Sequence, residues 1–498
     1  MRLLFAVFFM LFFTTSAPLF ASGLEEKVIE HTFDNGLKLL MVERHTSPTV
    51  SAWIRFRVGS VNERSDERGI AHLLEHMLFK GANTLGTKDY ASEAPLLDRI
   101  ERTAQNLLAE QAKGNKSDNA LIASLQKQVE ELEKEAGKYV VKDEFFDIYS
   151  RNGASGYNAF TSRDGTTYLI SLPSNKLELW AAIESDRMKN PVLREFYSER
   201  SVVMEERRRS YDASPAAKLW EIFIASSYYS HPYGQPTIGW MPDIENLTRT
   251  KAEGFLRRYY APNNAIIAVV GDIDHKQVIA LVERYFGDIC PGIPVPPVTA
   301  REEQQRGERR LEVFGDAEPE LLIGFHKTAI TDQDDEIFDI IGAIMGSGRT
   351  SRLYRSLVLE KQLATQVSVF DGPGNIYPNM LVFHATPRAP HTAAEVELAI
   401  LGELERLKSE PVTPRELQRL LNQLEFEEAR RMGTNGGLAR NLTEYEAVTG
   451  SWRHMVTYRK KIEKVTPDAI QKTARQYLTR ENRTVGTLVN RGKGGEGK

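Results

Sequence analysis

The chain has 498 residues, 41% apolar and 27% charged, a soluble globular profile with material for several domain-sized units. A net charge of −4 supplies no basic field for nucleic acid. The single cysteine, Cys290, excludes a disulfide framework and a cysteine-rich metal site, and reads as a small core residue.

Arg2 precedes an apolar run over 3–13 and small or polar residues around 14–17 and 21–23, the layout of a secretory signal peptide on 1–23. The expected location is therefore outside the cytoplasm, in the periplasm. Contact with a membrane follows only if the signal is uncleaved and remains as an N-terminal anchor. Beyond it, 37–42 and 49–58 read as strands, 70–79 as a helix, 168–172 and 265–270 as strands, and 177–188 and 277–286 as helices. These form a first domain over 24–290. A proline-rich, charged connector follows on 291–310. The second domain, 311–490, repeats a similar order, with strands at 320–325 and 381–385 and helices at 335–345 and 353–359, which suggests an internal duplication. The Gly/Lys-rich end, 491–498, reads as a disordered tail. Within the first domain, about 100–138 is rich in Glu, Gln, Lys, Ala and Leu. Ile122, Leu125, Val129 and Leu132 form an a/d seam. This stretch reads as an inserted coiled-coil hairpin standing apart from the core, either a solvated spacer or an arm that docks a partner.

On a helical wheel, Ile70, Leu73, Leu74, Met77 and Leu78 share one side, while His72, Glu75, His76 and Phe79 share the other. His72 and His76 are one turn apart, so both imidazoles can reach one zinc ion. Glu75 sits where a carboxylate can take a proton from water without ligating the metal. The pattern H-x-x-E-H reverses the H-E-x-x-H zinc helix. The sequence Ser65-Asp-Glu-Arg supplies acidic residues near the helix start, and Gly81 can end it. A third protein ligand is required. Glu199 and Glu206, on one helical face with Val202 and Val203, are the candidates, and the valines suggest that this face is buried. His326 and His384 read as core or edge residues, and His231 and His454 as exposed.

The segment Gly69-Ile-Ala-His-Leu-Leu-Glu-His-Met-Leu-Phe-Lys-Gly81 resembles the signature of the pitrilysin, insulysin and mitochondrial processing peptidase family. Asn158-Ala-Phe-Thr-Ser-Arg-Asp-Gly-Thr-Thr-Tyr168 resembles its active-site edge strand, and Glu199–Glu206 its E-R-x-x-V-x-x-E helix. The resemblance implies an α+β fold of two homologous halves forming a clam-shell chamber, with zinc held by His72, His76 and Glu206. It implies Glu75 as general base, Glu199 as a carboxylate steadying the site, and Asn158, Ala159 and Phe160 on a strand that pairs with an extended peptide or unfolded substrate. Single-chain members place an Arg, then a Tyr seven residues later, in the second half; those positions here are Val358 and Thr365. A homologous partner subunit supplying the Arg/Tyr pair is therefore expected. The competing reading is a non-catalytic structural or peptide-binding subunit of the same fold.

Overall fold

A computed structural model describes residues 23–490. The signal peptide and the tail read from the sequence lie outside them, Gly23 excepted. Among the described residues, no helix is long and apolar enough to cross a membrane.

Two mixed sheets organise the chain. The first runs β1 (Ile29–Thr32), β2 (Lys38–Glu43), β3 (Thr49–Phe56), β4 (Ser155–Thr161), β5 (Thr166–Pro173) and β6 (Ala265–Gly271), in the spatial order β1-β2-β6-β3-β5-β4. The second contains β7 (Arg309–Gly315), β8 (Glu320–His326), β9 (Ala364–Gly372), β10 (Met380–Pro387) and β11 (Arg483–Asn490), in the order β7-β11-β8-β10-β9. Apart from β1, the two orders coincide. In each half the first and last strands of the shared pattern pair in parallel, β2 with β6 and β7 with β11, and the remaining pairs are antiparallel. The duplication suspected from sequence is therefore one of topology.

Both faces of the first sheet are covered, which explains the unbroken apolar run of β6. Side chains alternate between the two faces. Leu39, Met41, Ile267 and Val269 join the core beneath the helices Leu177–Lys189 and His275–Phe286. Leu40, Val42, Ile266 and Val270 face the helix Asn435–Thr449, which comes from the second half. The exchange is reciprocal: Leu219, Phe223 and Ile224 of the first-half helix Pro215–Ser227 pack on Leu322, Val382 and Leu488 of the second sheet. The halves are interlocked by traded helices.

The hairpin comprises the helices Tyr90–Gln111 and Asn119–Ala136. It begins ten residues before the expected start at 100, because Asp89 caps the chain ahead of Pro95. Its base does not stand apart from the core. Leu96, Leu97, Ile100, Val129 and Leu132 are buried in the first-half core, whereas the seam residues Ile122 and Leu125 nearer the tip are only half-buried. Two other expectations are corrected. Cys290 is exposed, lying where the chain leaves the first domain. His231 is buried among Tyr228, Tyr233 and Tyr377, where the two halves meet.

Candidate metal centre

The motif helix spans Ile70–Met77. Its buried positions, Ile70, Ala71, Leu73, Leu74 and Met77, anchor it, and His72, Glu75 and His76 emerge on the opposite side. Its N-terminus is capped from further upstream than the sequence suggested. The Glu63 carboxylate accepts the N–H groups of Gly69 and Ala71, each at 2.9 Å, and neither Asp66 nor Glu67 takes this role. Gly69 has φ +88°, and a Cβ there would lie 2.6 Å from the Ile238 carbonyl oxygen, so only glycine fits this entry turn. The helix ends at Met77, before Gly81, which lies in a turn held by Arg194.

That arginine fixes the relation between the two functional helices. Arg194 and Glu93 are both fully buried and pair at 3.0 Å. The guanidinium also donates to the carbonyls of Lys80, Ala82 and Leu85, directly after the motif helix. The next residue, Glu195, has φ +56° and opens the second functional helix, Phe196–Arg207, which packs on the motif helix.

Here the distant carboxylates meet the imidazoles. His72 Nε2 lies 3.8 Å from Glu206 Oε1, and His76 Nε2 lies 3.5 Å from Glu206 Oε2. One donor atom from each of these residues falls within 4.8 Å of the others. These separations exceed a hydrogen bond and approach the edge of a tetrahedron around zinc, about 3.4 Å for bonds of about 2.1 Å. The donor set fits that ion. Glu199 stands behind, its Oε2 3.6 Å from His76 Nδ1 and its Oε1 2.5 Å from Lys80 Nζ. The valine argument for burial fails for half of this face: Val203 is buried, but Val202 is 49% exposed, and Glu206 is half-open. Glu206 therefore stands on an open wall.

Electrostatics separate the two imidazoles. Burial, with His76 alongside, pushes His72 down to about 4. Burial also works against the charge on His76, but Glu199 and Glu206 overcome it and hold His76 up at about 9. Since ligating imidazoles must be neutral, a divalent cation bound here would compete with a proton for His76. The Glu206 carboxyl is lowered, chiefly by His76.

Glu75 is raised by burial, and Thr161 Oγ1 donates to its Oε2 at 2.6 Å, partly offsetting that effect. Thr161 ends β4, the open edge of the first sheet. Tyr157 and Thr161 face the motif helix, Tyr157 meeting Phe79 at 5.1 Å between ring centroids. Asn158 and Phe160 point to the other face of the sheet, and Ala159 is buried. Sequence reasoning assigned no role to Thr161, Lys80, Glu63 or Arg194. The first two lie inside the quoted motif strings, but their partners are set only by tertiary contacts.

Comparison with known proteins now places the chain. A profile described as "Insulinase (Peptidase family M16)" matches residues 38–110 and 124–240, and one described as "Peptidase M16 inactive domain" matches 246–424. The chain belongs to the M16 peptidase family. Residues 111–123, left out of the first match, form the hairpin's tip and flanking turns. The zinc protease PqqE of Helicobacter pylori is 28% identical over 417 residues, covering 82% of this chain and 80% of the relative. A protease structure from Helicobacter pylori superposes with a TM-score of 0.78 at 25% identity, covering 93% of this chain and 99% of that one. The periplasmic protease PqqL of Escherichia coli matches 93% of this chain but 48% of its own, with a TM-score of 0.68 at 17% identity.

Proposed function

We propose that this protein is an exported zinc endopeptidase that cuts peptides or unfolded polypeptide segments. One observation carries the reading: two imidazoles and a carboxylate from helices far apart in sequence converge within 4.8 Å, beside a hydrogen-bonded glutamate and an open strand edge. His72, His76 and Glu206 would hold the ion. When bound, zinc supplies Lewis acidity that polarises the scissile carbonyl and brings water toward a pKa of about 7. An extended substrate pairs with β4 along Asn158, Ala159 and Phe160, with main-chain hydrogen bonds setting its register. Glu75, held by Thr161, takes the proton of the attacking water and delivers it to the leaving amine. Glu199 and Lys80 keep the His76 ring in place.

The chamber is completed by a second chain. PqqL carries about twice the length of this fold, which supports an arrangement of two such units. Val358 is buried in the π-helical turn Tyr354–Glu360, and the Thr365 hydroxyl donates to the Thr386 carbonyl. Neither offers a guanidinium or phenol to an oxyanion. The nearby Arg352 and Arg355 are paired with Glu416 and Glu360. A homologous partner supplying Arg and Tyr fills this role. The description "inactive domain" attaches to 246–424, outside all four of His72, Glu75, His76 and Glu206, and does not weigh against activity. The periplasmic location of PqqL supports export.

The test is hydrolysis of an unstructured fluorogenic peptide by the zinc-loaded protein, with and without its partner. A chelator should stop cleavage and zinc should restore it, while Glu75→Gln should keep the metal and lose the activity. Cleavage by Glu75→Gln at the wild-type rate contradicts the mechanism. Full activity of the monomer removes the partner.

A further inference from the structure

Beside β4, on the sheet face away from the motif helix, the second half builds a cavity of about 530 Å³. Arg430, Arg431 and Arg440 line it, with Glu444, Thr434 and Asn375. Two contacts tie it to the active-site strand. The Arg440 guanidinium lies 6.0 Å from the centre of the Phe160 ring. The Asn375 N–H donates at 2.6 Å to Asp164, three residues beyond Thr161. The positive charge is in excess. Arg440 pairs with Glu444 at 3.6 Å, but among the described residues neither Arg430 nor Arg431 makes an ion pair. The helix Asn435–Thr449 also begins here, capped by Thr434, and its N-terminal N–H groups add to the positive field.

A strand added to β4 alternates its side chains as β4 does. One set faces the motif helix with Tyr157 and Thr161; the other shares the face of Asn158 and Phe160 and approaches the arginines. We propose that this cavity is a specificity pocket for a substrate carboxylate, favouring extended peptides with Asp or Glu at alternate positions on the Asn158/Phe160 face. The inference rests on the peptidase reading and narrows its substrate class. It also gives the second half a part in choosing what the first half cuts.

The experiment scans one Glu, Gln or Lys through successive positions of an unstructured, C-terminally amidated fluorogenic peptide, using the full chain with its partner. At every second position, Glu should raise kcat/KM over Gln by about 1.5–5-fold, the range of exposed ion pairs, and the gain should shrink with salt. Arg440→Glu should invert the order to favour Lys, and so should Arg430→Glu, which makes no contact with Phe160. A Glu preference unchanged in both variants overturns the pocket, as does one without alternation. A gain seen only with a free C-terminus overturns the side-chain assignment in favour of the terminal carboxylate. Should no peptide be cut, the peptidase reading fails by itself. Fluorescence anisotropy of the same labelled peptides still reads the pocket: equal affinity for the Glu and Lys peptides sinks it.

Discussion

The two halves share a strand order, and the helix following the second strand of that shared pattern occupies the same slot in each. In the first half this is Ile70–Met77, in the second Asp335–Gly346. The second-half helix is almost wholly buried, and its acidic groups are compensated internally: Asp335 pairs with Lys327 at 2.5 Å, and Tyr458 donates to Asp339. The first-half helix presents two imidazoles and a carboxylate toward Glu206, and among the described residues no Lys or Arg is paired to any of the four. One scaffold thus holds a closed ionic core in one place and a converging set of imidazole and carboxylate donors in the other. A buried charge satisfied by a neighbouring side chain is structure; a donor set left for an ion from outside is a site.

The comparison breaks most visibly at Glu75. Glu75→Gln should lower kcat by about 10³-fold, within the span of a lost general base, while zinc content stays unchanged. The same change in the second half, Glu336→Gln, should leave kcat near wild type. Arg194→Met should follow in size. It leaves Glu93 buried without its partner and should destabilise the protein by about 3–5 kcal/mol, read from urea midpoints. Because Arg194 joins the segments bearing both functional helices, zinc affinity should fall in the residual folded protein. Thr161→Val should be milder, lowering kcat by about tenfold through a lost charged hydrogen bond, with KM nearly constant and Thr161→Ser restoring the rate.

The smallest effect belongs to the second half. Burial, reinforced by Asp371 and Asp335, pushes Asp339 up to about 7 from 3.8. The folded state therefore keeps this proton where the unfolded chain has lost it. The resulting stabilisation is fully present below about pH 3.8 and is lost as pH rises through about 7. Asp339→Asn should flatten that part of the pH–stability curve in urea titrations. An unchanged slope between pH 4 and 7 would show that the closed ionic core does not titrate as described.

The motif helix was legible because burial and chemistry share one period: a repeat near 3.6 separates Leu73, Leu74 and Met77 from His72, Glu75 and His76. The β6 strand was legible for a similar reason, as an apolar run of strand length. Glu206 was one of two candidates by spacing and was singled out only through family resemblance, since nothing local says which carboxylate crosses to a helix 130 residues away. Val202 misled because heptad spacing identifies a face without saying what covers it. The traded helices Pro215–Ser227 and Asn435–Thr449 were illegible for the same reason: an apolar stripe does not name its sheet. Thr161 acts through one hydrogen bond to distant Glu75, Arg194 through several that reach back across the chain, and Glu63 through two to nearby N–H groups, and none of these leaves a periodic trace in the chain.

The most direct measurement is a competitive zinc titration of the wild-type chain beside His72→Ala, His76→Ala and Glu206→Gln, each checked for fold by circular dichroism. The account predicts one tight site per wild-type chain, its loss in both histidine variants, and marked weakening in Glu206→Gln with the fold intact. Stoichiometric zinc retained by folded His72→Ala and His76→Ala protein, or none bound by the wild type, would contradict it.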